Sequence, residues 1–148
     1  MLDSVLKLPH EFLIANTLFE IGLSAFSASE KAALIRGGLT IFDVPGDGVL
    51  RAQVMIGEFP QLSVHDGLAL ALAEKQPRSV LLSGEDSLRA PAGKYSVELC
   101  ATIWLLEESH RHRLVSRSLL GTILRTLLED ATVKSSRKEL TTSLKKYE

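Results

Sequence analysis

The stretch from Leu62 to Arg89, LSVHDGLALALAEKQPRSVLLSGEDSLR, constrains the fold more than any other part of the chain. Ser63 is followed three residues later by Asp66, the spacing that closes the first turn of a helix reciprocally. From Val64 to Glu74 the Ala/Leu surface is nearly continuous, which predicts a helix buried over most of its circumference. After Pro77 the apolar run Val80 to Leu82 predicts a central strand, and it leads straight into the acidic turn Gly84-Glu85-Asp86. Sites in parallel sheets form beyond the carboxyl ends of the strands, and the acidic turn falls there.

The rest of the chain repeats that alternation. Leu2 to Leu8 predicts a short helical turn stopped by Pro9, and Phe12 to Ala15 a strand. Asn16 suits the N-cap of a helix carrying Leu18, Phe19, Ile21 and Leu23, with Glu20 in its first turn. Ser27 or Ser29 can cap a helix over Glu30 to Ile35 that ends at Gly37-Gly38. Leu39 to Val44 predicts the next strand, Pro45 to Gly48 a break, and Val49 to Ile56 a helix. A short helix ending near Pro91 to Gly93, a strand over Ser96 to Cys100 and a helix over Thr102 to Glu108 follow. Helices over about Ser116 to Glu129 and Arg137 to Lys146 complete the chain. Strands separated by helical sequence predict an α/β domain with a mostly parallel sheet and helices on both faces.

One domain accommodates 148 residues, and an apolar share of 45% supplies a core. The single Cys100 excludes an internal disulfide framework, reads as a packing thiol, and makes a reducing cytoplasm the simplest compartment. No apolar run is long enough for a membrane span. Net charge is −1 but uneven: residues 1–109 hold 8 basic against 14 acidic residues, and 110–148 hold 9 against 4. A basic end on an acidic body fits a polyanion-binding edge beside a metal site, and equally a solvated helical face.

Glu20 and Asp66 open helices, and Glu85 and Asp86 follow a strand. If these elements are neighbours, the carboxylates can converge as an oxygen-rich site for Mg²⁺ or Mn²⁺, which activates water for phosphodiester cleavage. Each acid also has a plain alternative. First-turn acids are common for dipole reasons, and Asp66 can simply reach back to its own helix start. His65 beside Asp66 is either a proton carrier or a surface histidine.

The ordered pieces Ser63, Asp66 and Ala69 to Ala73, then Leu81-Leu82-Ser83-Gly84-Glu85, Leu88-Arg89, and Ala101-Thr102-Ile103-Trp104-Leu105-Leu106 resemble the second half of the PIN-domain family. The tail, through Leu119 to Leu128 and Arg137 to Leu144, looks like the VapC-like toxin subgroup. The resemblance implies a three-layer α/β/α fold around a parallel sheet and a Mg²⁺- or Mn²⁺-dependent ribonuclease that a partner antitoxin blocks. Matched to the family pattern, Glu20, Asp66 and Glu85 are the catalytic and metal-holding acids, with Asp86 as a further ligand.

Two departures accompany the match. Ser83 and Glu85 stand where the family has Thr and Asp, so the carboxylate moves by on the order of 1 Å, a difference that matters to a metal with strict geometry. The family's opening strand and its terminal acid have no clear counterpart ahead of Leu8. Met1 to Leu6 echoes that motif with Asp3 as the acid, but reads better as helix. The expected sheet therefore lacks a central member, which weakens the enzyme reading and keeps a catalytically degenerate RNA-binding or protein-interaction domain as the alternative. In that case Arg89, Arg111, Arg113 and Arg117, with Lys134, Arg137 and Lys138, would contact phosphates. A homodimer through the leucine-rich face of residues 119 to 128 is a further expectation, with core burial as its competitor.

Overall fold

The computed structural model describes residues 5–83, 86–130 and 137–147. Asp3, Gly84, Glu85 and Lys134 lie outside the described residues, as does the start of the expected Leu2 to Leu8 turn. What is described of that turn closes with the Leu8 N–H donating to the Val5 carbonyl at 3.1 Å, and both apolar side chains are buried.

Strand β1 spans Leu13–Ala15. The α-helix expected after it is instead a π-helix, Leu18–Gly22, in which the Leu23 N–H bonds the Leu18 carbonyl at 3.1 Å. The wider turn breaks the 3.6-residue face that the apolar spacing implied, so Phe19 is buried while Ile21 stays 63% exposed. Asn16 does not cap in the usual way: its Oδ1 accepts the Thr17 N–H at 2.9 Å and its Nδ2 donates to Asp43 Oδ1 at 2.5 Å. Helix α1 spans Ala28–Arg36 and begins in a complete capping box, with Ser27 and Glu30 each accepting the other's backbone N–H at 3.1 Å.

Strand β2, Thr40–Phe42, pairs parallel with β1 in the register Ile14 to Ile41. Helix α2, Gly46–Glu58, starts inside the segment expected to be a break. Pro45 takes the N-cap position, and Gly48 is buried where a Cβ would meet Val44 at 2.8 Å, so these residues start a helix rather than a loop. Helix α3, Val64–Lys75, carries the expected Ser63–Asp66 capping box. It packs on α2 at Gly67, where a Cβ would lie 2.8 Å from Ile56 Cδ1. Its burial extends around most of the helix, with residues 65 to 73 all buried or half-buried and Leu70 fully so, while Val64 at its start is 63% exposed.

Strand β3, Leu81–Leu82, pairs parallel with β4, Leu99–Cys100. Between them a 3-10 turn, Asp86–Leu88, runs into helix α4, Arg89–Lys94. Pro91 does not break α4, because in the first turn its missing N–H has no partner to lose. Helices α5 (Thr102–Arg111), α6 (Arg117–Glu129) and α7 (Arg137–Tyr147) follow.

The fold is thus mixed α and β with short parallel strands, but the single sheet expected from the sequence is two separate pairs among the described residues. Val80 to Leu82, expected to be central, has a strand neighbour on one side only. Two apolar cores hold the molecule together. The first gathers Ala52 and Met55 from α2, Leu68, Leu70 and Ala71 from α3, and Leu88, Ala92 and Val97 around α4. The second joins α5, α6 and α7 through Ile103, Leu106, Leu120, Leu124 and Leu140. Leu120 and Leu124 are fully buried there, so core packing takes up the middle of the leucine-rich face and leaves Leu119 half exposed. No helix among the described residues is long and apolar enough to cross a membrane.

Candidate functional site

Residues of β1 and β3 line one cavity of about 580 Å³. Its walls are Leu13, Ile14 and Ala15 from β1, Leu81 and Leu82 from β3, and Val80 just before it. Ala69, Leu72 and Ala73 of α3 span the space between them, and Trp104 of α5 joins from β4's side of the fold. No residue of β2 or β4 contributes, so the cavity adjoins the edges of the two sheets that have no strand partner among the described residues.

Hydrogen bonding gives the same orientation. In a parallel ladder a residue directs its N–H and C=O to one neighbour and the next residue directs both to the other side. The Thr40 N–H bonds the Phe12 carbonyl at 2.9 Å, so Phe12 and Ile14 face β2, while Leu13 and Ala15 face the cavity. Leu81 and Ser83 donate to Glu98 and Cys100 at 2.8 and 3.0 Å, which turns Val80 and Leu82 toward the cavity. Interior parallel strands are normally covered on both faces. Here Leu13, Ile14, Leu81 and Leu82 are only half-buried and Val80 is 37% exposed.

The acids expected to form a metal site occupy separate settings. Glu20 is exposed on the π-helix, where its backbone carbonyl accepts from Lys31 Nζ at 3.2 Å. Asp66 accepts the Ser63 N–H through Oδ2 at 3.2 Å, so the capping alternative is realised. One carboxylate oxygen of Asp66 is outside that bond. Asp86 is exposed and pairs with Arg89 at 3.2 Å. No group of three or more potential metal ligands occurs among the described residues. His65 is half-buried, with its Nδ1 shielded and without a hydrogen-bond partner.

The basic candidates are equally dispersed. Arg113 is exposed at a left-handed φ of 60°, and Arg117 donates to the Lys146 carbonyl at 3.0 Å. Arg111 sits against Glu108, a residue that sequence inspection passes over. The Glu108 side chain is 7% exposed, with His112 Nε2 at 3.6 Å and His10 Nε2 at 4.0 Å from its Oε2. Oε1 makes no aligned hydrogen bond, so Arg111 holds it as an ion pair. The signal was the i+3 and i+4 spacing of Arg111 and His112 from Glu108; His10 comes from the other end of the chain and carries no such signal. Cys100 is half-buried, and burial followed by the nearby Glu98 raises its thiol pKa, in keeping with a packing role.

No family model, no curated protein and no solved structure matches the chain.

Proposed function

We propose that this chain is a PIN-like domain directed at RNA, a metal-dependent endoribonuclease of the toxin kind. Glu20, Asp66 and Glu85 are its acids, and Asp86 or Asp3 an auxiliary. The observation that carries it is the course of α3 into β3. Helix α3 ends at Lys75, and Ser79, two residues before β3, bonds back to the Ala73 and Gln76 carbonyls at 2.9 and 2.7 Å. Leu81 and Leu82 share a cavity with Ala69, Leu72 and Ala73, so the strand runs beside the helix that carries Asp66, and Gly84, Glu85 and Asp86 come next in the sequence.

The donors available suit a hard cation only in part. Asp66 and Glu20 offer carboxylate oxygens, and Mg²⁺ is commonly held by one or two carboxylates with water and substrate phosphate. The described acids alone do not form a ligand set, because Asp66 also caps its helix and Asp86 is drawn to Arg89. No catalytic step is therefore assigned to the metal. What the chain's own residues do is narrower: Ser63 and Asp66 fix the helix start, and the exposed Arg113 offers phosphate pairing.

Cleavage of single-stranded and structured RNAs is measured with and without Mg²⁺ or Mn²⁺, for the unmodified chain and for Asp66→Asn. Asparagine keeps an oxygen for the Ser63 N–H, so the variant retains its helix cap while losing the charge. Metal-dependent cleavage that Asp66→Asn abolishes, with circular dichroism unchanged, is the expected result. Cleavage that persists in the variant overturns the assignment. If cleavage is absent altogether, the second reading stands: a PIN-like RNA-binding or protein-interaction domain without catalysis. The divided sheet and the capping duty of Asp66 favour it.

A further inference from the structure

We infer that the cavity between β1 and β3 is a docking slot for one extended, apolar strand of another polypeptide, which enters parallel to both edges and joins the two half-sheets into one. The inference rests on the open edges and is independent of any action on RNA.

Three observations define the occupant. The backbone groups of Leu13 and Ala15 on one side, and of Val80 and Leu82 on the other, are turned to the slot. Their partial charges are complementary to an alternating series of N–H and C=O groups, which an extended peptide offers on both of its sides at once. A lipid or an apolar small molecule satisfies none of them. The strand and helix side chains bordering the slot are Leu13, Ile14, Val80, Leu81 and Leu82, with the Ala69, Leu72 and Ala73 surface of α3 beneath, so the middle of the guest is apolar, while His10, Glu11, Gln76, Arg78 and Ser79 line the rest of the cavity and suit polar or charged ends. Both bordering strands belong to parallel pairs, so a strand between them continues an existing sheet at two edges rather than adding at one.

A second copy of the chain fits less well than a separate partner. Each strand among the described residues is already paired, so a copy would give up one of its own ladders to donate. A partner segment rich in Val and Ile and free of Pro has no such cost, and strand addition gains affinity from main-chain bonds and specificity from the side-chain pockets.

The test uses the full 148-residue chain and two synthetic peptides. One is a Val/Ile-rich segment of about seven residues with terminal lysines, long enough to exceed a strand of ordinary length. The other has the same side chains with every backbone amide N-methylated, which removes its donors on both sides. Trp104, the chain's single tryptophan, lines the slot and reports occupancy by fluorescence. Hydrogen exchange reports the edges. The expected result is saturable one-to-one binding of the first peptide, slowing of exchange at Leu13, Ala15, Val80 and Leu82 by at least about tenfold, and no binding of the N-methylated peptide. Ala69→Phe, which projects a ring into the slot, abolishes binding with circular dichroism unchanged. Should that variant not fold, the peptide comparison on the unmodified chain decides alone. Equal binding of both peptides, protection confined to other amides, or no saturation up to about 1 mM overturns the inference. So does a peptide-free dimer in which those four amides are already protected, because the occupant is then a second copy.

Discussion

Glu108 is the residue where burial and charge conflict most directly. Its carboxylate is almost wholly shielded, while its neighbours reach it from solvent: Arg111 is 70% exposed, His112 40% and His10 45%. Taking away one side of such a pair therefore has unequal effects. Arg111→Ala leaves a shielded carboxylate with only imidazoles near it and is expected to cost about 1–3 kcal/mol, the usual penalty for a buried group deprived of its partner. Glu108→Gln releases the Arg111 guanidinium, which water solvates readily, and is expected to cost about 1 kcal/mol or less. Urea unfolding of the two variants checks this ordering, and a larger loss for Glu108→Gln contradicts it. Ser63→Ala is a second residue-scale case. It removes the oxygen that accepts the Asp66 N–H at 3.1 Å, so about 1 kcal/mol of stability is expected to go with it. The Ser63–Asp66 capping box was legible in the sequence because capping depends on residues three apart, whereas at α1 the sequence left Ser27 and Ser29 open and the fold selects Ser27. The Glu108 cluster was not legible, because His10 and Glu108 meet only through the fold.

At the scale of elements, the α2–α3 pair is the best-secured contact outside the cores. Arg51 of α2 makes a two-pronged bond to Glu74 of α3, at 2.9 and 3.0 Å, and lies 4.9 Å over the Tyr95 ring. The hydrogen bond from Arg51 holds the Glu74 carboxyl below its ordinary value of 4.5, with partial burial opposing it and the guanidinium charge assisting. A carboxyl lowered in the folded state contributes stability above its unfolded value, and loses it as pH falls through the folded value. Arg51→Ala is therefore expected to melt lower than the unmodified chain near neutrality, by the small margin that solvent screening leaves to an exposed pair. The gap should narrow as the solution is acidified below pH 4.5, the ordinary value for Glu74. The loss of the Tyr95 contact remains as a constant offset. A gap that does not change with pH would show that Glu74 is not the linked group. Most helices of this kind were legible from apolar spacing and caps, including α1, α3 and α6. The π-helix after β1 and the helical start at Gly46 were not. The first adds a residue per turn that no propensity encodes, and the second depends on Val44 closing over Gly48.

For the molecule as a whole, the decisive feature is the divided sheet. Strand segments were legible from their apolar runs, and the absence of a central member was an expectation of the sequence. Which edges face each other was not legible, because pairing depends on contacts far apart along the chain, and strands of two or three residues carry little register information. The division makes the two sides of α3 unequal, which a single pair of substitutions can expose. Ala69 lines the slot, whereas Ala71, two residues on, is 2% exposed within the first core. Alanine to leucine adds the same atoms at either position. At Ala71 there is no room, so overpacking is expected to cost about 1–3 kcal/mol. At Ala69 the new side chain meets Leu13, Leu82 and open space, and its burial is expected to stabilise by about 1 kcal/mol or more, the value of one or two added CH₂ groups leaving water. Thermal unfolding of Ala69→Leu and Ala71→Leu in parallel measures the difference. If both destabilise alike, the space between β1 and β3 is not available to an apolar group. If Ala69→Leu raises the melting temperature while Ala71→Leu lowers it, the unfilled volume lies along the sheet edges rather than within the core beneath α3.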